Sequence, residues 1–220
     1  MEAFNPITRK QNLSWSIIQI KLLLNQVEKQ KSSTILSYAA LECRIIIERL
    51  ELTPLVMAAS SLENDSWMNE IEQYKGIQRV NSRLKSLRFR YQTFTAAFSD
   101  AMVENCPLVP FDFTKAEDLQ SRLAKYLHVY NKSDDDFLFG SEFVQEGINI
   151  VKETLEFLEN SCAKDADSYV QGIIDFETVS PEIKNEFNDW VKRKDEDVIA
   201  LTNRLIKIRE KSGSKKIIIN

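Results

Sequence analysis

Glycine and proline are scarce in this sequence, five of each in 220 residues. A fold built from many short strands needs frequent turn residues, so the scarcity argues against one and for long helices. Cysteine is sparse as well: Cys43, Cys106 and Cys162 are odd in number and widely scattered. They have neither the even count of a disulfide framework nor the paired spacing of a zinc site, and reduced thiols in a cytoplasmic setting are the expectation. No apolar run reaches the roughly 20 residues that span a bilayer, and Met1–Lys10 lacks a signal-peptide pattern, so no membrane partner is expected. An excess of positive charge is also missing, since 33 acidic residues outnumber 29 basic ones for a net charge of −4. A chain basic throughout is excluded, and any nucleic-acid contact must come from a local patch.

What is present is apolar periodicity. Hydrophobic residues make up 43% of the chain, enough for a sizeable core. Leu13, Ile17, Ile20, Leu24 and Val27 predict a helix over about 12–31, and Ser33 starts a second that Pro54 stops or kinks. A long third helix is expected up to about Val103, with Ile77, Val80, Leu84, Leu87, Tyr91, Phe94, Phe98 and Ala101 on one stripe. The loop Asn105–Phe113 follows, and Thr114-Lys-Ala-Glu117 has the form of a capping box for a fourth helix. Asn131-Lys-Ser-Asp-Asp-Asp136 ends it; the three aspartates read as a solvated helix start rather than a cation loop. Ser141 caps a fifth helix to about Ala163. After an irregular connector, Ser180-Pro181-Glu182 opens a final helix to about Lys211, burying Phe187, Val191, Val198, Leu201, Leu205 and Ile208. Lys215–Asn220 is a frayed tail or a sticky strand around Ile217–Ile219. The fold class is therefore all-α: an antiparallel bundle of about five long helices over 1–163, with a connector, a long helix and a tail over 164–220.

Chemistry concentrates near the only histidine. A histidine moves protons near neutrality, with an ordinary pKa of about 6.5, and an arginine holds phosphate oxygens with a permanent planar charge. Arg122 and His128 together supply what metal-free cleavage of a ribose-phosphate backbone needs. Against this, a lone histidine beside aliphatic residues is more often structural. Six positions also set the two side chains about 120° and 9 Å apart on one straight helix. They meet at one phosphate only where the helix ends, or where two copies face each other. Lys125, Tyr130 and Asn131 flank the pair as cleft residues. Between Lys75 and Arg90 the chain has six basic residues and no acidic one. Arg79, Arg83, Arg88 and Arg90 are the candidate RNA-binding side chains there, although such a run more often forms a solvated face.

In order, the chain shows the helix Ser37-Tyr-Ala-Ala-Leu-Glu-Cys-Arg-Ile-Ile-Ile-Glu48, a long basic helix, Arg122 separated from His128 by five residues, and another amphipathic helix. This resembles the HEPN superfamily of small helical bundles, whose signature is Arg, four to six residues, then His near a helix end. His128-Val-Tyr130 resembles the second half of an extended form found in toxin members. The likeness covers roughly Ser33 to Asn160. It implies a metal-independent endoribonuclease of a toxin or antiphage type, without cofactor, using Arg122 and His128 across a homodimer cleft with the fourth helices facing. It also implies RNA as substrate, and a protein partner such as an antitoxin or a nucleotidyltransferase that modifies an exposed Tyr130. Active members often carry a polar residue after the Arg, where this chain has Leu123. The alternative is a non-catalytic HEPN-like adaptor that binds a partner protein.

Overall fold

The computed structural model describes residues 13–62, 84–102, 108–109, 111–129, 131–165, 168–174, 176, 179–193 and 197–211. In chain order the elements are α1 (Leu13–Gln30), α2 (Ser33–Ser61), α3 (Lys85–Met102), α4 (Phe113–Ala124), a 3₁₀ turn (Asp134–Phe137), α5 (Glu142–Asn160), the strands β1 (Ala163–Asp165) and β2 (Ser168–Val170), α6 (Pro181–Lys192) and α7 (Val198–Lys211). The chain is helical as expected, with one addition that the sequence did not signal. β1 and β2 form a short antiparallel ladder where an irregular connector was expected, Ala163 opposite Val170 and Asp165 opposite Ser168. The contacts gather into two compact units of interleaved sequence, Met1–Leu50 with Asp112–Gln171, and Glu51–Phe111 with Gly172–Asn220.

In the first unit, α1 buries the expected stripe of Leu13, Ile17, Ile20, Leu24 and Val27. It packs antiparallel to α5, as two ion pairs in opposite sequence order attest: Lys21 with Glu159 at 2.7 Å, and Glu28 with Lys152 at 2.9 Å. α1 ends on Lys31, whose φ of 49° turns the chain left-handed, and the Ser32 amide closes back on the Val27 carbonyl at 3.3 Å. This is the usual way a helix C-terminus satisfies a dangling carbonyl. The strand β2 and the residue after it tie down both far ends of the resulting hairpin. The Tyr169 amide donates to Ser14 Oγ at 2.7 Å, and the Gln171 side-chain amide donates to the Leu50 carbonyl at 2.8 Å. Ser14 and Leu50 thus meet residues two apart, so α1 and the Ser33–Leu50 part of α2 run antiparallel, side by side.

The bond from Gln171 also explains why Pro54 does not end α2, which runs on to Ser61. Proline has no N–H for the carbonyl four residues back. That carbonyl belongs to Leu50, and Gln171 supplies the missing donor from 121 residues away. Gln171→Leu removes the donor in a half-buried setting. Urea denaturation should show a loss of about 1–2 kcal/mol, the cost of an unsatisfied carbonyl, and an unchanged midpoint would show that water replaces the amide.

In the second unit, Tyr91, Phe94, Phe98, Phe176, Phe187 and Trp190 build an aromatic core with Leu201 and Leu205. α3 packs on both α6 and α7, and Arg204 of α7 bonds Glu186 of α6 at 2.7 Å. Ser180 and Pro181 open α6 as expected. The single final helix expected to Lys211 is instead two, because the run from Lys192 to Asp197 is wholly charged and offers nothing to bury. Val198 is consequently exposed, and of the expected stripe Phe187, Leu201 and Leu205 are the fully buried members.

Candidate functional site

α4 starts two residues earlier than its sequence signal suggests. Asp112, not Thr114, is the cap, and its carboxylate accepts from the Lys115 amide at 3.0 Å. The helix ends at Ala124. A tighter turn follows, with the Tyr126 and Leu127 amides bonded three residues back to Leu123 and Ala124. His128 comes next, exposed, its amide on the Ala124 carbonyl at 3.1 Å. Its imidazole makes no hydrogen bond or ion pair among the described residues. The fourth helix was expected to run to the break at Asn131 with His128 in its last turn; it stops at Ala124 instead, which leaves His128 four residues beyond the last helical one.

Tyr126 anchors this turn. Its buried ring stacks on Phe143 with centroids 4.6 Å apart, and Phe137 meets the same Phe143 ring edge-on at 5.8 Å. Burial first, then the nearby Glu146 carboxylate, pushes the Tyr126 phenol up to about 12, so it stays protonated. The Lys132 ammonium lies 4.5 Å over Phe143. The three aspartates form the 3₁₀ turn as a helix-starting run should: Asp136 accepts from the Ser133 amide at 2.9 Å and its hydroxyl at 3.0 Å, which lowers its carboxyl pKa. Ser141 caps α5 by accepting from the Val144 amide at 3.2 Å.

Arg122 points elsewhere. Lys115 and Arg122 lie two helical turns apart on α4, hence on one face, and both reach Glu153 of α5. The Arg122 Nη2 to Glu153 Oε2 distance is 2.7 Å, and Nη1 binds Asp118 Oδ2 at 3.1 Å. Arg122 first and Lys115 second hold Glu153 down at about 2, and Glu153 in turn raises Arg122. The four side chains carry no net charge together. Chemically this is a clamp between two helices rather than an anion receptor, because the guanidinium fork is filled by two carboxylates.

The remaining candidates scatter. Lys125 and Asn131 are exposed beside His128. Arg88 and Arg90 lie on α3, in the second unit, whereas Arg122 and His128 lie in the first. Arg90 stacks its guanidinium 4.6 Å over the Trp190 ring, whose Nε1 donates to the Arg90 carbonyl at 3.0 Å. Tyr130, Arg79, Arg83 and the Ile217–Ile219 tail fall outside the described residues, as does Cys106. Cys43 and Cys162 are free and buried, and burial pushes the Cys162 thiol up to about 11, which removes it as a nucleophile. No group of three or more His, Cys, Asp or Glu among the described residues is placed to hold a metal ion, and no helix among them is long and apolar enough to cross a membrane.

Sequence reading missed Lys115, Asp118 and Glu153. The Asp118–Arg122 spacing was a visible signal, since four residues on a helix bring opposite charges together. No family model, no curated protein and no solved structure matches the chain.

Proposed function

We propose that this chain is a non-catalytic helical adaptor of HEPN-like build, a protein-binding module and not a working ribonuclease. One observation carries the reading: the Arg122 guanidinium is already bonded to Glu153 and Asp118. A phosphate reaching it must displace two carboxylates and overcome their repulsion, the reverse of an electropositive site prepared for a transition state. Leu123 after the arginine agrees with this. In this reading Arg122 fastens α4 to α5, and His128 is a surface residue at the turn.

The endoribonuclease reading keeps one observation in its favour, the exposed imidazole with no bond of its own among the described residues. Incubation of wild type, His128→Ala and Arg122→Ala with single-stranded RNA in EDTA separates the two. The adaptor reading expects all three to be equally inert. Arg122→Ala also loses about 1 kcal/mol of stability, as suits a partly exposed ion pair, and His128→Ala loses almost none. Wild-type cleavage to 2′,3′-cyclic phosphate ends that falls about 10²- to 10⁴-fold in His128→Ala overturns the adaptor reading.

A further inference from the structure

The chain passes between its two units at Leu50–Glu51, Phe111–Asp112 and Gln171–Gly172. The last two passages lie outside any helix or strand, but the first falls inside α2. The two sides of that helix are anchored separately. Ile46, Ile47 and Leu50 are fully buried on the side that belongs to the first unit, whereas Leu55, Ala58 and Ala59 enter the aromatic core of the second.

Between these anchors α2 lacks one of its own bonds. Pro54 has no N–H for the Leu50 carbonyl and its ring crowds that oxygen, which is why sharp bends in helices gather at proline. The missing bond thus falls on the residue after which the chain changes units. Its replacement comes from another passage: Gln171, the last residue of the first unit, donates its side-chain amide to the Leu50 carbonyl at 2.8 Å. One hydrogen bond therefore joins two of the three passages. A side-chain amide can swing off a carbonyl by rotating its own torsions, whereas a backbone amide leaves only if the helix unwinds.

We propose that Leu50–Pro54 is a hinge in α2 and that Gln171 is its latch. With the bond made, the two halves of the helix hold one angle; with it open, they bend at Pro54. A hinge is formed by a few residues at element ends and connections that absorb the change in backbone angles. The other two passages suit that role, since Asp112 is the cap of α4 and Gly172 follows β2 in no regular element. The one regular element that must give is α2, and it gives where its own bond is already absent. This device is independent of the adaptor reading, because it concerns how the chain bends and not what it binds.

Pulsed electron paramagnetic resonance on the full chain tests this. Spin labels carried by p-acetylphenylalanine in place of Lys29 on α1 and Lys207 on α7, both exposed, report one distance from unit to unit. The chain with Gln171 and Pro54 intact should give a narrow distribution. Gln171→Leu should broaden it about twofold or more, with helical circular dichroism retained. Pro54→Ala restores the backbone donor, so adding it to Gln171→Leu should narrow the distribution back to its starting width. A width indifferent to Gln171→Leu overturns the proposal, and so does a broadening that Pro54→Ala fails to reverse. A second readout leaves Gln171 in place: Pro54→Ala alone should slow hydrogen exchange of the Leu55 and Val56 amides, just past the break, about tenfold or more. Unchanged exchange there overturns the hinge as well.

Discussion

Phe187→Ala should cost the chain about 3–5 kcal/mol, the range for truncating a buried phenylalanine. Phe187 is fully buried and meets three other rings. It stacks on Phe176 with centroids 4.3 Å apart, and it meets Phe94 edge-on at 5.0 Å and Tyr91 at 6.3 Å. Aromatic pairs in these geometries contribute about 0.5–1.5 kcal/mol beyond the burial of their area. The void cannot close by a small shift, because Trp190 is pinned one turn along α6 by its bond to the Arg90 carbonyl. Urea denaturation followed at 222 nm should show a midpoint lower by 1 M or more for a slope of about 1–3 kcal/mol/M. A loss under about 1 kcal/mol would mean that Phe176 collapses into the space and that the ring cluster is not the centre of the second unit.

Much of that core could be read in the sequence, because its signals are local. The stripe of Leu84, Leu87, Tyr91, Phe94, Phe98 and Ala101 is buried as its spacing implies, and the Ser180-Pro181 start is a property of neighbouring residues. The misreadings share a different cause. Pro54 stays inside α2 because the donor it lacks arrives from Gln171, and no local pattern carries a partner 121 residues away. Asp112 outcompeted Thr114 as a cap although both have the right chemistry, so the start of α4 rests on where the chain enters the helix. The strands are three residues each, too short for alternation to be seen. The candidate site divides in the same way. The break at Asn131 put His128 in the last turn of the fourth helix, whereas the helix already ends at Ala124 and leaves His128 in the turn that follows. The engagement of Arg122 was only half legible: Asp118 is one turn away on the same helix, but Glu153 is 31 residues on and belongs to α5. Of the two carboxylates that set the functional reading, the one the sequence left hidden is thus the one contributed by another helix.

Gly147→Val should be the most disruptive small change in the first unit. A helix interior ordinarily gains about 1 kcal/mol when glycine is replaced by alanine, and a branched residue is less favourable there. Here the site has no room. A Cβ at position 147 would lie 2.7 Å from Tyr126 Cε1 and 2.8 Å from Leu36 Cδ2. Leu36 can rotate away at modest cost, but the Tyr126 ring is buried and stacked against Phe143. Valine adds two further methyl groups against the same surfaces, so a net loss of about 2–3 kcal/mol is expected from overpacking. The effect should also reach the candidate site, since Tyr126 seats the turn that precedes His128. Hydrogen exchange should speed up at the Tyr126, Leu127 and His128 amides, whose bonds close that turn. Adding Leu36→Ala should restore part of the loss, making the double variant more stable than the sum of the single effects by 0.5 kcal/mol or more. If Gly147→Val is neutral or stabilising, the tyrosine does not lie flat on the helix, and the turn carrying His128 owes its position to something other than this contact.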